Sequence, residues 1–230
     1  MDTVHMEILS MSPRVVPPVP KPPAARSTYR HGDLRRALLD AGIELARDGG
    51  PEAVALREVT RRAGVVPNAA YRHFASRREL LLAVRAAALS AAAVAMEKEL
   101  AVLPCEQPPA DFARARVRAI GTAYLRFAQA EPGLFRTAFV VSSEDAQGDV
   151  GPGSAGPGGL DPFQLLGGAI DKLVETGALD PARRPNAEYL AWSAVHGLAL
   201  LIIDGPLKAL DAAGIHALGQ QLIDMVERGL

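Results

Sequence analysis

Leu56 to Phe74, LREVTRRAGVVPNAAYRHF, is the stretch that leaves this chain the fewest options. Leu56, Val59 and Ala63 recur at i, i+3 and i+7, one apolar face of a short helix, while Arg57, Glu58, Arg61 and Arg62 cover the other side. Gly64 follows at once, where a chain turns with positive φ at little cost. Pro67 suits the first turn of a second helix, because its missing N–H would be unpaired there anyway. That second helix carries Asn68, Ala69, Ala70, Tyr71, Arg72 and His73. Two short helices on a tight glycine turn describe a helix-turn-helix, and a second helix with small side chains at its start fits a DNA major groove. The pattern alone also suits plain packing, so the flanking residues decide.

Upstream, Asp33 opens a helix whose stripe is Leu34, Leu38, Ala41 and Leu45, and Asp48-Gly49-Gly50-Pro51 stops it. Downstream, Ser76-Arg77-Arg78-Glu79 reads as a capping box. It opens a long helix expected to reach about Leu103, alanine-rich from Ala86 to Met96 and therefore a stiff rod. Arg77 stands at its N-terminus, where a DNA phosphate is the expected partner.

Taken together, Tyr29 to Leu82 strongly resembles the DNA-binding domain of the tetracycline-repressor (TetR) family of transcriptional regulators. One departure is plain: the family usually has Ser or Thr at the start of the recognition helix, where Val66 stands, so a capping bond worth roughly 1 kcal/mol is missing or supplied elsewhere. By position, the resemblance puts Pro67, Asn68 and Ala69 against base edges, with Asn68 able to pair an adenine edge. It puts Tyr71 and His73 near phosphates, with a base as a second possible contact of Tyr71, counts Arg72 among the DNA contacts, and makes Phe74 a core plug. Arg26, Arg30, Arg57 and Arg77 are further expected DNA contacts, the first two reaching from the segment before the first helix.

Charge is distributed in keeping with this. Net charge is −1, yet Arg26 to Arg85 holds 12 Lys/Arg against 7 Asp/Glu, and Ala86 to Leu230 holds 11 against 17. A basic N-terminal module on an acidic remainder fits a nucleic-acid reader. Residues 1–25, with six prolines, read as a disordered arm, and Met6 and Met11 leave the true start open. Cys105 is the single cysteine, so an internal disulfide framework is excluded. The five histidines lack metal-ligand spacing, and no metal or other cofactor is expected. No apolar run of about 18 residues and no secretory signal are found, so a cytoplasmic location is expected.

The second half reads as further helices. Phe112 to Ala130 carries Val117, Ile120, Tyr124 and Phe127 on one face, and Leu134 to Val140 is a short apolar helix. Ser142 to Leu160, rich in Gly, Pro and Ser, is expected as a flexible loop that contributes little to the core. Phe163 to Val174 forms another stripe. Asn186 to Asp204 is apolar nearly all round, so it is expected to be buried on all sides, one face by its own domain and the other open to cover by a partner chain. Gly214 to Gly229 follows with a wide apolar face. Trp192, His196 and Gly197 resemble the C-terminal domain of TetR regulators named for a Trp-His-Gly motif.

The resulting expectation is an all-α chain. A three-helix DNA-binding domain (residues 26–82) joins, through a long helix, a helical ligand-binding and dimerisation domain (residues 83–230). Tyr124, Phe127, Phe135, Phe139, Trp192 and His196 are the expected ligand contacts. Leu198, Ile202, Ile215, Leu218, Leu222 and Met225 are the expected dimer contacts. The function expected is a homodimeric repressor released from a near-palindromic double-stranded DNA operator by a small apolar or amphipathic effector. An enzyme reading finds no triad, metal site or phosphate loop; Gly151 to Gly159 lacks a following Lys-Ser/Thr. A helical small-molecule binding protein, or an adaptor whose basic module binds an acidic protein, is the alternative.

Overall fold

The computed structural model describes residues 31–139 and 152–230, which form α-helices and short 3-10 turns without a strand. Arg26, Arg30 and the proline-rich arm lie outside the described residues. The helices are α1 (His31–Ala53), α2 (Leu56–Arg62), α3 (Pro67–Ala70), α4 (Arg77–Ala101) and α5 (Pro109–Ala130). They are followed by α6 (Pro132–Phe139), α7 (Pro162–Glu175), α8 (Ala187–Ile203) and α9 (Ala212–Gly229). The expected stop in the first helix is present as a break: Gly50 takes φ 68°, ψ −165°, a region that only glycine occupies readily, and Pro51 restarts the helix.

One buried apolar cluster runs through the whole molecule. It begins at Leu38, Val54, Val59 and Phe74, continues along α4 through Leu80, Val84 and Ala92, and includes Phe135, Ile170 and Ile223. The helix α4 is thus shared by both halves and passes through the expected 82/83 boundary without interruption. It packs against α1, α5, α6 and α7. By length and composition α4 is also apolar enough to cross a membrane, with a mean hydropathy of 1.7, which the sequence reading did not anticipate. Part of that apolar surface, Ala88, Ala92 and Ala93 included, is buried within the chain, and α1 comes close enough that a Cβ on Gly42 would lie 2.9 Å from Val84 Cγ2.

The tightest contact lies between α1 and α6. A Cβ on Gly133 would stand 2.3 Å from the carbonyl oxygens of both Ala46 and Arg47, so only glycine lets the two backbones meet. Arg47 Nε donates to Glu131 at 2.8 Å beside it, and Arg136 makes a bidentate pair with Asp204 that ties α6 to the end of α8.

Part of the expected flexible loop does contribute to packing. Residues 140–151 lie outside the described residues, but 152–160 lie on α4. Ser154 is buried, Ser90 Oγ donates to the Ala155 carbonyl at 2.7 Å, and Gly158 N donates to Glu97 Oε1 at 3.0 Å. A Gly/Pro-rich composition gave no sign that two polar side chains of α4 would hold this backbone.

Candidate nucleic-acid interface and ligand cavity

The helix α2 ends in a Schellman motif. Gly64 has φ 69°, Val65 N donates to Thr60 O at 3.0 Å, and Gly64 N donates to Arg61 O at 3.3 Å. The turn delivers Val66 in extended conformation and Pro67 at the first position of α3, with no side-chain cap on that helix. Ala70 and Phe74 turn inward and are fully buried, and the Arg35 guanidinium lies over the Phe74 ring at 4.9 Å. Pro67, Asn68, Tyr71 and Arg72 face outward and exposed, with Ala69 and His73 half-buried between them. Arg57 on α2 is exposed as well. Arg61, by contrast, is paired with Glu58 on the same helix, and that guanidinium holds the Glu58 carboxyl below its usual range.

Arg77 Nε donates to Val54 O at 2.7 Å and one Nη to Pro51 O at 2.8 Å. The Pro51 carbonyl lies in the last turn of α1, where it also accepts from Val54 N at 3.3 Å, and the Val54 carbonyl lies in the connection to α2. Arg77 therefore fastens the start of α4 beneath the helix-turn-helix, a positioning role that the sequence did not announce. The capping box is shifted: Ser76 Oγ accepts from Glu79 N at 3.1 Å, but Glu79 reaches back to Ala75 N at 2.7 Å instead of to Ser76 N.

In the C-terminal half, helices α4 to α9 line a cavity of about 430 Å³. Leu89, Ile120, Phe163, Val195 and Ile223 give it an apolar wall, and Arg85 and Asp161 are its charged residues. Of the expected ligand contacts, Tyr124, Phe139 and Trp192 line it. Phe127, Phe135 and His196 do not. Phe135 is fully buried in an aromatic cluster, its ring 5.3 Å from Tyr124, 5.0 Å from Phe139 and 5.5 Å from His196. Phe127 is buried within α5's core face. Both stay out of the lining because the apolar stripes of α5 and α6 are wider than the cavity, and helical spacing does not tell the two layers apart.

His196 belongs to that second layer through a hydrogen-bonded chain. Trp192 Nε1 donates to the Tyr124 hydroxyl at 3.0 Å. The same hydroxyl lies 2.7 Å from His196 Nδ1, so one oxygen joins both rings. Burial disfavours the charged form of His196 and lowers its pKa, while burial pushes the Tyr124 phenol up. The polar atoms of Tyr124 and Trp192 thus satisfy each other, and both rings offer carbon surface to the cavity. The lining residues Arg85, Asp161, Phe163 and Tyr189 were not among the expected contacts. Asp161 sits there because its carboxylate caps α7, accepting from Phe163 N and Gln164 N at 2.8 and 2.9 Å. Asp161-Pro162-Phe163-Gln164 was a legible capping signal.

The expected dimer residues divide. Leu198 and Ile202 are 7% and 5% exposed and belong to the core of the single chain, which corrects their assignment to an outer face. Ile215, Leu218 and Leu222 are half-buried against that core, and Met225 is exposed. The outer surface of α8 instead carries Leu190, 64% exposed, with Leu200 and Leu201. A helix apolar all round has no polar side to mark which way it faces.

Comparison with known proteins fits this architecture. A family model described as "Bacterial regulatory proteins, tetR family" matches residues 38–84, and one described as "Tetracyclin repressor-like, C-terminal domain" matches residues 117–226. Among curated proteins, none matches the chain. Similar solved structures include a protein of unknown function from Rhodococcus sp. RHA1, with 24% identity over 89% of this chain and 99% of that one, TM-score 0.69. The transcriptional regulator FadR from Bacillus subtilis, solved with stearoyl-CoA, has 14% identity over 85% and 98%, TM-score 0.60. A TetR variant from Acinetobacter baumannii AYE, solved with minocycline, has 18% identity over 88% and 96%, TM-score 0.53. With an exposed helix-turn-helix at one end, a helical domain at the other and both matched by their own family models, this chain belongs to the TetR family of DNA-binding transcriptional regulators.

Proposed function

We propose that the chain is a homodimeric repressor that leaves a near-palindromic operator when a small apolar or amphipathic molecule fills the cavity. The observation that carries this reading is that cavity and DNA module share helices. Leu89 of α4 and Phe139 of α6 line the cavity. The same α4 sets Leu80 and Val84 against α1, and the same α6 seats Gly133 on the α1 carbonyls. A ligand that fits one setting of α4 and α6 better than another shifts the population toward it, and α1 must follow.

In this reading residues 26–82 hold the DNA and residues 83–230 hold ligand and partner. Asn68 reads a base edge with Pro67 and Ala69 beside it, and Arg57, Tyr71, Arg72 and His73 hold the backbone, with Arg26 and Arg30 preceding them. Two copies present their α3 helices about 34–36 Å apart, one turn of B-DNA. The exposed α8 leucines and Met225 of α9 supply the apolar surface for pairing. The cavity has room for on the order of 14 water-sized groups. The neighbours solved with stearoyl-CoA and with minocycline are in keeping with an amphipathic occupant. No catalytic step is assigned to the chain.

The test uses the full chain in three measurements. DNA fragments retained from the genome are sequenced, and binding to them is compared with random duplex across salt; a shared motif and a steep salt slope are expected. Trp192, the only tryptophan, lines the cavity, so its emission reports titration with amphipathic candidates. A molecule that both shifts that emission and releases the operator is the expected effector class. Sedimentation of Leu201→Asp should give a monomer with weakened operator binding. Retention of no common motif, or a dimer that survives this change, overturns the corresponding part.

A further inference from the structure

Val66 is 68% exposed at the entry to α3, with extended backbone at φ −73° and ψ 144°. Its side chain has no atom that could accept from the first-turn N–H groups, so it does nothing for the helix end. An isolated exposed valine is ordinary on a protein surface. This one is not isolated in kind: from Leu34 to Phe74 the large exposed hydrophobics are Val66 and Tyr71, and they bracket the exposed Asn68 in sequence. Arg57 and Arg72, also exposed, add positive charge to the helix-turn-helix.

The major groove offers one apolar group, the C5-methyl of thymine; its other edges are hydrogen-bond donors and acceptors. A valine set against those edges would strip water from them and return no hydrogen bond, at a cost. Against the methyl it loses only water that neither group holds well. As a β-branched side chain it is restricted at χ1, so little freedom is lost on contact. Resting on the DNA-reading role proposed above, we infer that Val66 is a specificity-determining residue: its isopropyl group packs on the methyl of one thymine in each half-site, beside the base read by Asn68. The burial of about one methyl group corresponds to a three- to five-fold preference per half-site.

The experiment recovers binding sites from a random duplex pool with the full wild-type chain and with Val66→Ala. The best wild-type duplex is then remade with deoxyuridine replacing each thymine in turn, which removes the methyl and nothing else. One thymine per half-site is expected whose replacement weakens the wild type three- to five-fold, while Val66→Ala binds both duplexes alike. Thermal melting of Val66→Ala checks that the exposed substitution leaves the fold intact. The inference is overturned if no replacement separates the two proteins, or if the same methyl matters equally to both. A wild type that recovers no common sequence overturns the DNA-reading role itself, and the two failures are distinct.

Discussion

The two ends of this molecule carry their chemistry in opposite ways. The helix-turn-helix displays it: α3 has no side-chain cap, and Val66, Pro67, Asn68 and Tyr71 are uncovered. The C-terminal half encloses it: Tyr124 is buried, and its hydroxyl and the Trp192 and His196 ring nitrogens are bonded to one another behind an apolar wall. An outward side chain can change binding without touching stability. An inward one changes both, because it is also part of the core.

Substitutions can break or sharpen that contrast. The largest effect is expected inside the DNA module, where Phe74→Ala removes a fully buried ring and should cost about 3–5 kcal/mol in urea unfolding. On the displayed side, Asn68→Ala should cost about 1–3 kcal/mol of operator binding while random duplex binding and melting temperature stay nearly unchanged. Equal loss on both duplexes would make Asn68 a positioning contact. In the enclosed half, Tyr124→Phe strands the Trp192 N–H and His196 Nδ1, and should lower stability by about 1–3 kcal/mol. It should leave ligand-free operator binding alone; loss of that binding would show that the network also sets the position of α6.

The smallest effect is a pH slope. The folded chain disfavours the proton on His196, so its unfolded form binds more protons below the ordinary imidazole value of 6.5. Stability is therefore complete above that pH and declines as pH falls through it toward the lower folded value. His196→Gln should flatten this part of the profile, and an unchanged slope would place its origin in other groups.

Legibility followed the same division. The helix-turn-helix is a local object: Gly64, Pro67 and Ser76 each fix their neighbours within a few residues, and all three act at the positions read from the sequence. Val66 was recognised as unable to cap, and α3 is uncapped. What could not be read depends on partners distant in the chain. Arg77 faces the carbonyls of Pro51 and Val54, more than twenty residues away, and nothing in Ser-Arg-Arg-Glu announces them. Phe127 and Phe135 share helical stripes with cavity residues, yet only packing decides which ring reaches the space. Leu198 and Leu201 differ in the same way: identical side chains, three positions apart, one inside and one outside.

Helix α4 runs 25 residues without a break, about 37 Å at the usual rise. A beam of that length magnifies small inputs. A swing of roughly 5° about one end carries the other through about 3 Å, comparable to the separation of hydrogen-bonded atoms at a base edge. A molecule wedged beside Leu89 would need to move its own surroundings by only a fraction of that to put a DNA-facing helix out of register.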